Sequence, residues 1–129
     1  MWGYFSFMTK SAIHWIFYSS DMGRSVVLDE IRKMNLGIEE MNTLEQTLRS
    51  IASGISPWHS AKHLEREIWE ARIRFPHRQI RVLYSIETAW FINLALFAAV
   101  KKVQKVPRQW INLALKRRKD WLHRMNDHG

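Results

Sequence analysis

Residues 68–87 have the sequence IWEARIRFPHRQIRVLYSIE, and this stretch decides the fold. Apolar and polar side chains alternate along residues 68–75 and again along residues 80–87, with the period of two that is typical of a strand with one buried face. Between the two runs, Pro76-His77-Arg78 has the composition of a turn. The sequence therefore predicts an antiparallel β-hairpin with one apolar and one polar face.

The polar face of this hairpin is basic, because it carries Arg72, Arg74 and Arg81. With a turn centred near His77, we expect Arg74 to lie roughly opposite Arg81. Like charges that face each other destabilise a strand pair unless a carboxylate or a bound anion compensates them. Glu70 on the same face is expected to orient an arginine. A guanidinium fork matches two phosphate oxygens, so this face is a candidate phosphate site; solvated side chains on an exposed sheet are the alternative.

The first half of the chain has the pattern of a strand followed by two helices. A β-prone run at residues 14–18 ends in a turn, and Ser25 is expected to cap a first helix that Gly37 stops. Apolar residues at spacings of three and four then predict a second helix over residues 38–52, ended by Gly54. The short connection between them predicts an αα-hairpin with a packing role.

The rest of the chain adds a loop, a strand and a last helix to the hairpin. Residues 55–62, which include Pro57, are expected to form the loop. Residues 91–100 are apolar throughout, as in a strand buried on both faces. Pro107 suits the first turn of a helix that runs to about Arg124. The predicted order is β-α-α-β-β-β-α, a small α+β fold with an antiparallel sheet, an N-terminal αα-hairpin and a C-terminal helix.

Length and composition indicate one domain over residues 1–129, with residues 1–12 as an extra N-terminal segment and residues 125–129 as a tail. The chain has no cysteine, which excludes thiolate chemistry and suits a reducing cytoplasm. The longest uncharged apolar run, residues 88–100, is shorter than the roughly 20 residues of a spanning helix. We therefore expect a cytoplasmic protein without a membrane partner.

The net charge of +8 is concentrated at the C-terminal end. Residues 101–129 hold nine Lys and Arg against two Asp and Glu, and so contribute +7, whereas residues 1–62 contribute none. A one-sided positive field attracts anionic partners. Together with the arginine face, this segment predicts a surface that grips a polyanion, with RNA as the expected partner; a solvated helix face is the alternative.

Other site chemistries have little support in the sequence. There is no GxGxxG, no phosphate-binding P-loop and no GxSxG motif. The six histidines show no HExxH or paired spacing, so neither a metal nor a cofactor is predicted. Trp69, Trp110 and Trp121 fall on predicted core faces, whereas Trp58 and Trp90 lie in predicted loops and stay open as base-stacking residues.

Three segments, residues 68–73, 79–84 and 101–107, resemble in order and spacing the phage-derived branch of the RelE/HigB toxin superfamily. The similarity extends over roughly residues 14–124 and leaves the first dozen residues without a counterpart. It implies the RelE-like microbial RNase toxin fold and a type II toxin–antitoxin toxin that inhibits translation. Members are metal-independent endoribonucleases (mRNA interferases) that cleave mRNA on the ribosome, and a helix-turn-helix, HigA-like antitoxin neutralises them.

The resemblance also implies roles for particular residues. The cleavage would proceed by attack of a ribose 2′-hydroxyl on the adjacent phosphate, with no assigned general base. Tyr84 lies on the apolar face and is interpreted as core. The roles carried over are catalytic for Arg72, Arg81 and Lys102, RNA-binding for Arg74, Lys101, Lys105 and Arg108, and orienting for Glu70. Two other hypotheses stay open at this point: an RNA- or ribosome-binding protein without catalysis, and an inactive prophage remnant.

Overall fold

The structure is a computed structural model and describes residues 14–54, 60–102 and 104–128. The elements in chain order are β1 (His14–Phe17), α1 (Val26–Arg32), α2 (Ile38–Ser53), β2 (Ala61–Glu65), β3 (Ile68–Arg74), β4 (Gln79–Glu87), a 3₁₀ turn (Thr88–Trp90), β5 (Ile92–Val100) and α3 (Arg108–His128). The chain therefore has the α+β character that the sequence predicts.

The predicted hairpin is confirmed as β3 and β4. Its turn spans residues 75–78 and is closed by a backbone hydrogen bond of 2.9 Å between its two ends. The register differs from the prediction, because Arg72 lies directly opposite Arg81 and Arg74 lies opposite Gln79. The like-charge pair across the strands is thus real, but it is formed by the arginine nearer the middle of β3.

The five strands form one sheet in the order β1-β5-β4-β3-β2. The prediction of a four-stranded antiparallel sheet is wrong on two points. β1 is parallel to β5, a long-range pairing that no local pattern encodes. β2 begins inside the predicted loop; its sequence, AKHLE, lacks β-branched residues, and a bulge between His63 and Glu65 interrupts its pairing with β3.

The two short helices lie where helices are predicted, but they do not form the predicted αα-hairpin. α1 packs mainly against β5, whereas α2 packs mainly against β3 and β1. Gly37 does not stop α1, which ends at Arg32; it precedes α2, and its N–H donates to Glu40 Oε1 at 3.1 Å. Gly54 ends α2 as predicted, with a φ of 78° that favours glycine.

The sheet lies between α2 and α3. On one face, Trp15 Nε1 donates to a backbone carbonyl of α2 at 2.7 Å, and its ring meets Tyr84 edge-on at 4.9 Å. On the other face, Phe97 of β5 packs against Trp110 of α3 at 5.1 Å. Tyr84 is fully buried, which confirms its predicted place in the core, and burial raises the pKa of its hydroxyl.

The last strand and helix confirm their predicted types but not their predicted ends. β5 is buried over most of its length, yet Phe91 precedes it, adopts a left-handed φ of 55° and is 65% exposed. α3 follows Pro107 as predicted and continues to His128, beyond the predicted helix end at about Arg124. The N-terminal segment 1–12 lies outside the described residues.

Candidate functional site

A cleft of about 760 Å³ lies between the polar face of the hairpin and the chain that leads into α3. The N–H of Lys101 donates to the carbonyl of Gln79 at 2.8 Å, which holds the start of this connection against β4. The lining side chains come from four elements and the connection: Lys62, His63, Leu64, Glu65, Glu70, Arg72, Arg74, Gln79, Arg81, Lys101, Gln104, Lys105, Val106, Pro107, Arg108 and Ile111.

At the centre of the cleft one carboxylate holds two arginines. Glu70 Oε1 accepts from Arg72 Nε and Glu70 Oε2 accepts from Arg81 Nε, each at 2.9 Å. Gln79 Oε1 accepts from Arg81 Nη1, also at 2.9 Å. The side chains of Glu70 and Arg81 are only 4% and 6% exposed, whereas that of Arg72 is 25% exposed. Glu70 therefore orients both guanidinium groups, as the sequence predicts for one.

This arrangement leaves guanidinium N–H groups available for a ligand. Within the described part of the chain, neither Nη group of Arg72 has a hydrogen-bonding partner, and the Nη2 group of Arg81 also has none. Every fully buried side-chain nitrogen and oxygen among those residues does have one. The unused Nη2 of Arg81 is therefore not fully buried, and guanidinium donors of this kind suit two oxygens of an anion.

The central cluster also carries an excess of positive charge. Burial lowers the pKa of Arg81, and Arg72 and Arg74 lower it further, while Glu70 opposes the shift. An arginine stays protonated under these conditions, so the cost appears as an incompletely compensated buried cation. A bound anion would remove that cost, which makes the cluster a site for negative charge.

The wider cleft extends the same field. It is lined by seven Lys and Arg against two Glu, an excess of +5. Lys101, Lys105 and Arg74 lie there as predicted. Lys62, which the sequence analysis missed because it fell at the end of the predicted loop over residues 55–62, pairs in register with Glu70. α3 also begins at the cleft without an acidic residue in its first turn, and a helix N-terminus favours anions.

Two predicted site residues are placed differently from the rest. Lys102 is exposed and does not line the cleft; it lies in a smaller cavity of about 340 Å³ beside Arg78 and Gln104. Arg108 lines the cleft, but both of its terminal nitrogens donate to the carboxylate of Glu65, at 2.7 and 2.8 Å. The structure therefore groups Arg72, Arg81 and Glu70 closely and separates Lys102 from them.

The described lining offers neither an aromatic base-stacking surface nor a free carboxylate. His63 has the one aromatic ring among those lining side chains; it contacts Trp69, and its Nε2 lies 2.6 Å from the carbonyl oxygen of Arg66. Trp90 packs against Trp121 at 5.3 Å, so it belongs to the core edge, and Trp58 lies outside the described residues. The cleft is thus chemically a phosphate site more than a base site.

A metal site and a membrane-spanning helix are both absent from the described residues. Residues 14–54, 60–102 and 104–128 contain no group of three or more His, Cys, Asp or Glu side chains placed to hold a metal ion. None of the three helices in those ranges has the length and apolar character needed to cross a membrane.

Much of the basic charge of α3 has a structural use instead of the predicted grip on RNA. Arg117 forms an ion pair with Glu30 of α1 at 2.9 Å and donates to the carbonyl of Leu96 at 2.8 Å. Arg118 donates to the buried Glu87 at 2.7 Å. These contacts attach α3 to α1 and to the sheet, which gives these side chains a structural role; that most of the C-terminal charge binds RNA stays a prediction.

A third arginine of α3 is held in the same way. Arg124 donates to Asp120 at 2.9 Å and to the carbonyl of Ser19 at 2.6 Å. Tyr18 donates its hydroxyl to the same carboxylate at 2.7 Å, and these contacts lower the pKa of Asp120, the tyrosine hydrogen bond most of all. The C-terminal half of α3 is therefore bound to the loop that follows β1.

No curated protein is similar enough to this chain to be matched. A family model described as phage-derived Gp49-like protein (DUF891) matches residues 29–119, which is most of the chain and includes every residue that lines the cleft. This family is associated with RelE-like toxins. The protein that carries this cationic cleft therefore belongs to the phage-derived Gp49-like family.

Proposed function

We propose that this protein is the toxin of a type II toxin–antitoxin pair and an endoribonuclease that cleaves mRNA. The observation that carries the proposal is the central cluster, in which Arg72 and Arg81 share the single carboxylate of Glu70 and keep unused donors. The family match supports a toxin. On this proposal the protein acts in the cytoplasm, on ribosome-bound mRNA, and a helix-turn-helix, HigA-like antitoxin neutralises it.

The proposed reaction begins with a phosphodiester in the fork of the two arginines. The Nη groups of Arg72 and Arg81 donate to its non-bridging oxygens and stabilise the charge that builds up in the transition state. The ribose 2′-oxygen forms a bond to phosphorus, and the bond from phosphorus to the 5′-oxygen breaks. The products are a 2′,3′-cyclic phosphate and a 5′-hydroxyl end.

Two protons move in this reaction, one from the 2′-hydroxyl and one to the departing 5′-oxygen. Lys101 and Lys105 line the cleft and are proposed to hold the RNA and to protonate the leaving oxygen, whereas the position of Lys102 favours a role in RNA binding outside the cleft. Glu70 is held by both arginines, and its proposed role is to orient them. Water or substrate supplies the base in this proposal.

A second candidate is an RNA- or ribosome-binding protein without catalysis. It is favoured by one observation: both carboxylates among the described lining residues, Glu65 and Glu70, are already held by arginines. Such a protein would use the same cleft, bind more weakly as salt increases, and produce no new RNA ends.

Primer extension on cellular transcripts after a short pulse of expression separates the two candidates. The parent protein is expected to produce new 5′ ends, and Arg81→Ala is expected to lose them. The matched control is Arg78→Ala, which removes an equal charge from the same hairpin. The side chain of Arg78 pairs with Glu40 and does not line the cleft. New ends from Arg81→Ala at the parent level would refute the phosphate clamp.

A further inference from the structure

The cleft contains a second arginine–carboxylate arrangement that differs from the central cluster. Arg108, the first residue of α3, and Glu65, the last residue of β2, form a bidentate pair with distances of 2.7 and 2.8 Å. Both residues line the cleft, and 43 positions separate them in the sequence. We call this pair the Glu65–Arg108 bridge; it joins β2 to α3 at the wall of the site.

The bridge is exposed, unlike the central cluster. The side chain of Arg108 is 62% exposed and that of Glu65 is 31% exposed. The guanidinium of Arg108 holds the pKa of Glu65 below its usual value, so the carboxylate is charged at neutral pH. Exposed ion pairs contribute little net stability. An anion that reaches Arg108 therefore displaces Glu65 at small cost.

The ligand that fits is a phosphate. A carboxylate and a phosphodiester both present two oxygens to the two outer nitrogens of a guanidinium. Arg108 also begins a helix of 21 residues, and the positive end of that helix favours an anion at the same place. The carboxylate of Glu65 thus stands in for the charge and geometry of a phosphate group.

We propose that Arg108 is a second phosphate-binding subsite of the cleft and that Glu65 is its intramolecular competitor. A phosphate of the bound strand, other than the one held by Arg72 and Arg81, takes the place of the Glu65 carboxylate. Glu65 then limits affinity for RNA, and its replacement strengthens binding. This inference rests on the proposed function in one respect, the identity of the polyanion as RNA.

The test measures binding of a short 2′-O-methyl oligoribonucleotide over a range of salt concentrations. This probe has no free 2′-hydroxyl, so the result is independent of cleavage. Glu65→Gln is expected to bind about fivefold more tightly than the parent, the upper range for loss of an exposed competing pair. Adding Arg108→Gln is expected to abolish this gain and to lower the salt slope by about 0.7, the contribution of one single-strand phosphate contact.

The matched control is Glu40→Gln, which breaks another bidentate pair, with Arg78, and adds the same net charge away from the cleft. It is expected to bind the probe as the parent does, and thermal unfolding checks that each variant is folded. Three results would overturn the subsite: Glu65→Gln no tighter than Glu40→Gln, a gain that survives Arg108→Gln, or no binding by any variant. Failure of the proposed function would appear separately, as an unmodified RNA that is bound but not cut.

Discussion

Three arginines of the hairpin line the cleft, and three arginines of α3, Arg117, Arg118 and Arg124, lie outside it; the two sets differ in how their charge is compensated. In the cleft, Arg72 and Arg81 share one carboxylate, that of Glu70, and Arg74 adds a third charge nearby. On α3, Arg117 and Arg118 each have a carboxylate of another element. Both sets come from basic stretches of the sequence, and only their partners distinguish them.

This difference separates structural charge from charge that is available to a ligand. An arginine with its own carboxylate and a backbone carbonyl, such as Arg117, has its charge compensated and holds one element against another. Two arginines on one carboxylate keep donors and net charge that the fold does not use. The surface that a polyanion would occupy is therefore indicated by positive charge that no carboxylate compensates, and less well by the total charge of +8.

The largest expected effect comes from changing the shape of a cleft arginine without changing its charge. Arg81→Lys keeps the cation but loses the fork that binds Glu70 and phosphate together. Loss of one transition-state donor costs about 10²–10³ in rate, so the yield of new RNA ends should fall by about that factor. Arg117→Lys is the control on α3 and is expected to retain cleavage. Equal cleavage by both variants would remove the distinction between the two sets.

A smaller effect, on the free energy of unfolding, is expected from breaking an ion pair that holds α3 to the sheet. Glu87 is buried and accepts from Arg118 at 2.7 Å and from the hydroxyl of Ser85 at 2.6 Å. Glu87→Gln weakens both contacts and should lower the free energy of unfolding by about 2–3 kcal/mol, as for other partly buried charged hydrogen bonds. Urea unfolding measures this. RNA cleavage per folded molecule is expected to be unchanged, and a selective loss of cleavage would place Glu87 in the site instead.

The smallest effect concerns inorganic phosphate as a ligand of the two arginines that share Glu70. At a phosphate concentration ten times the dissociation constant, the folded state should gain about 1.4 kcal/mol, seen as a rise in melting temperature over a chloride control of equal ionic strength. Arg72→Ala should abolish most of the rise, whereas Arg124→Ala should lower the melting temperature but keep the rise. A rise that is equal in all three proteins would indicate a general salt effect.

Local pattern was enough to predict the parts of the fold that depend on neighbours in sequence. The alternation in residues 68–87 predicts the hairpin, and the apolar run before Lys101 predicts the buried β5, both confirmed. Patterns say little about long-range pairing, so the parallel contact of β1 and the edge strand β2 were missed. Because β2 was not predicted, Lys62 and Glu65 were not recognised as residues that line the cleft.

The same limit explains what the sequence did and did not predict about the site. Alternation places Arg72, Arg81 and Glu70 on one face, and the structure joins them by hydrogen bonds. The use of Arg117 depends on Glu30, 87 positions away in the chain, and charge counting carries no information on such a partner. The net charge of +7 therefore predicted a broad RNA-binding surface. In the structure, Arg117, Arg118 and Arg124 instead attach α3 to other elements of the fold.

The central claim is that the two arginines that share Glu70 hold a phosphate while it is cut. The most direct test is to map RNA ends that carry a 2′,3′-cyclic phosphate after a short pulse of expression. The parent protein is expected to produce such ends within coding sequences, and the double variant Arg72→Ala, Arg81→Ala, which leaves every α3 pair intact, is expected to produce none. Growth arrest by the parent without such ends, or the same ends from the double variant, would contradict the claim.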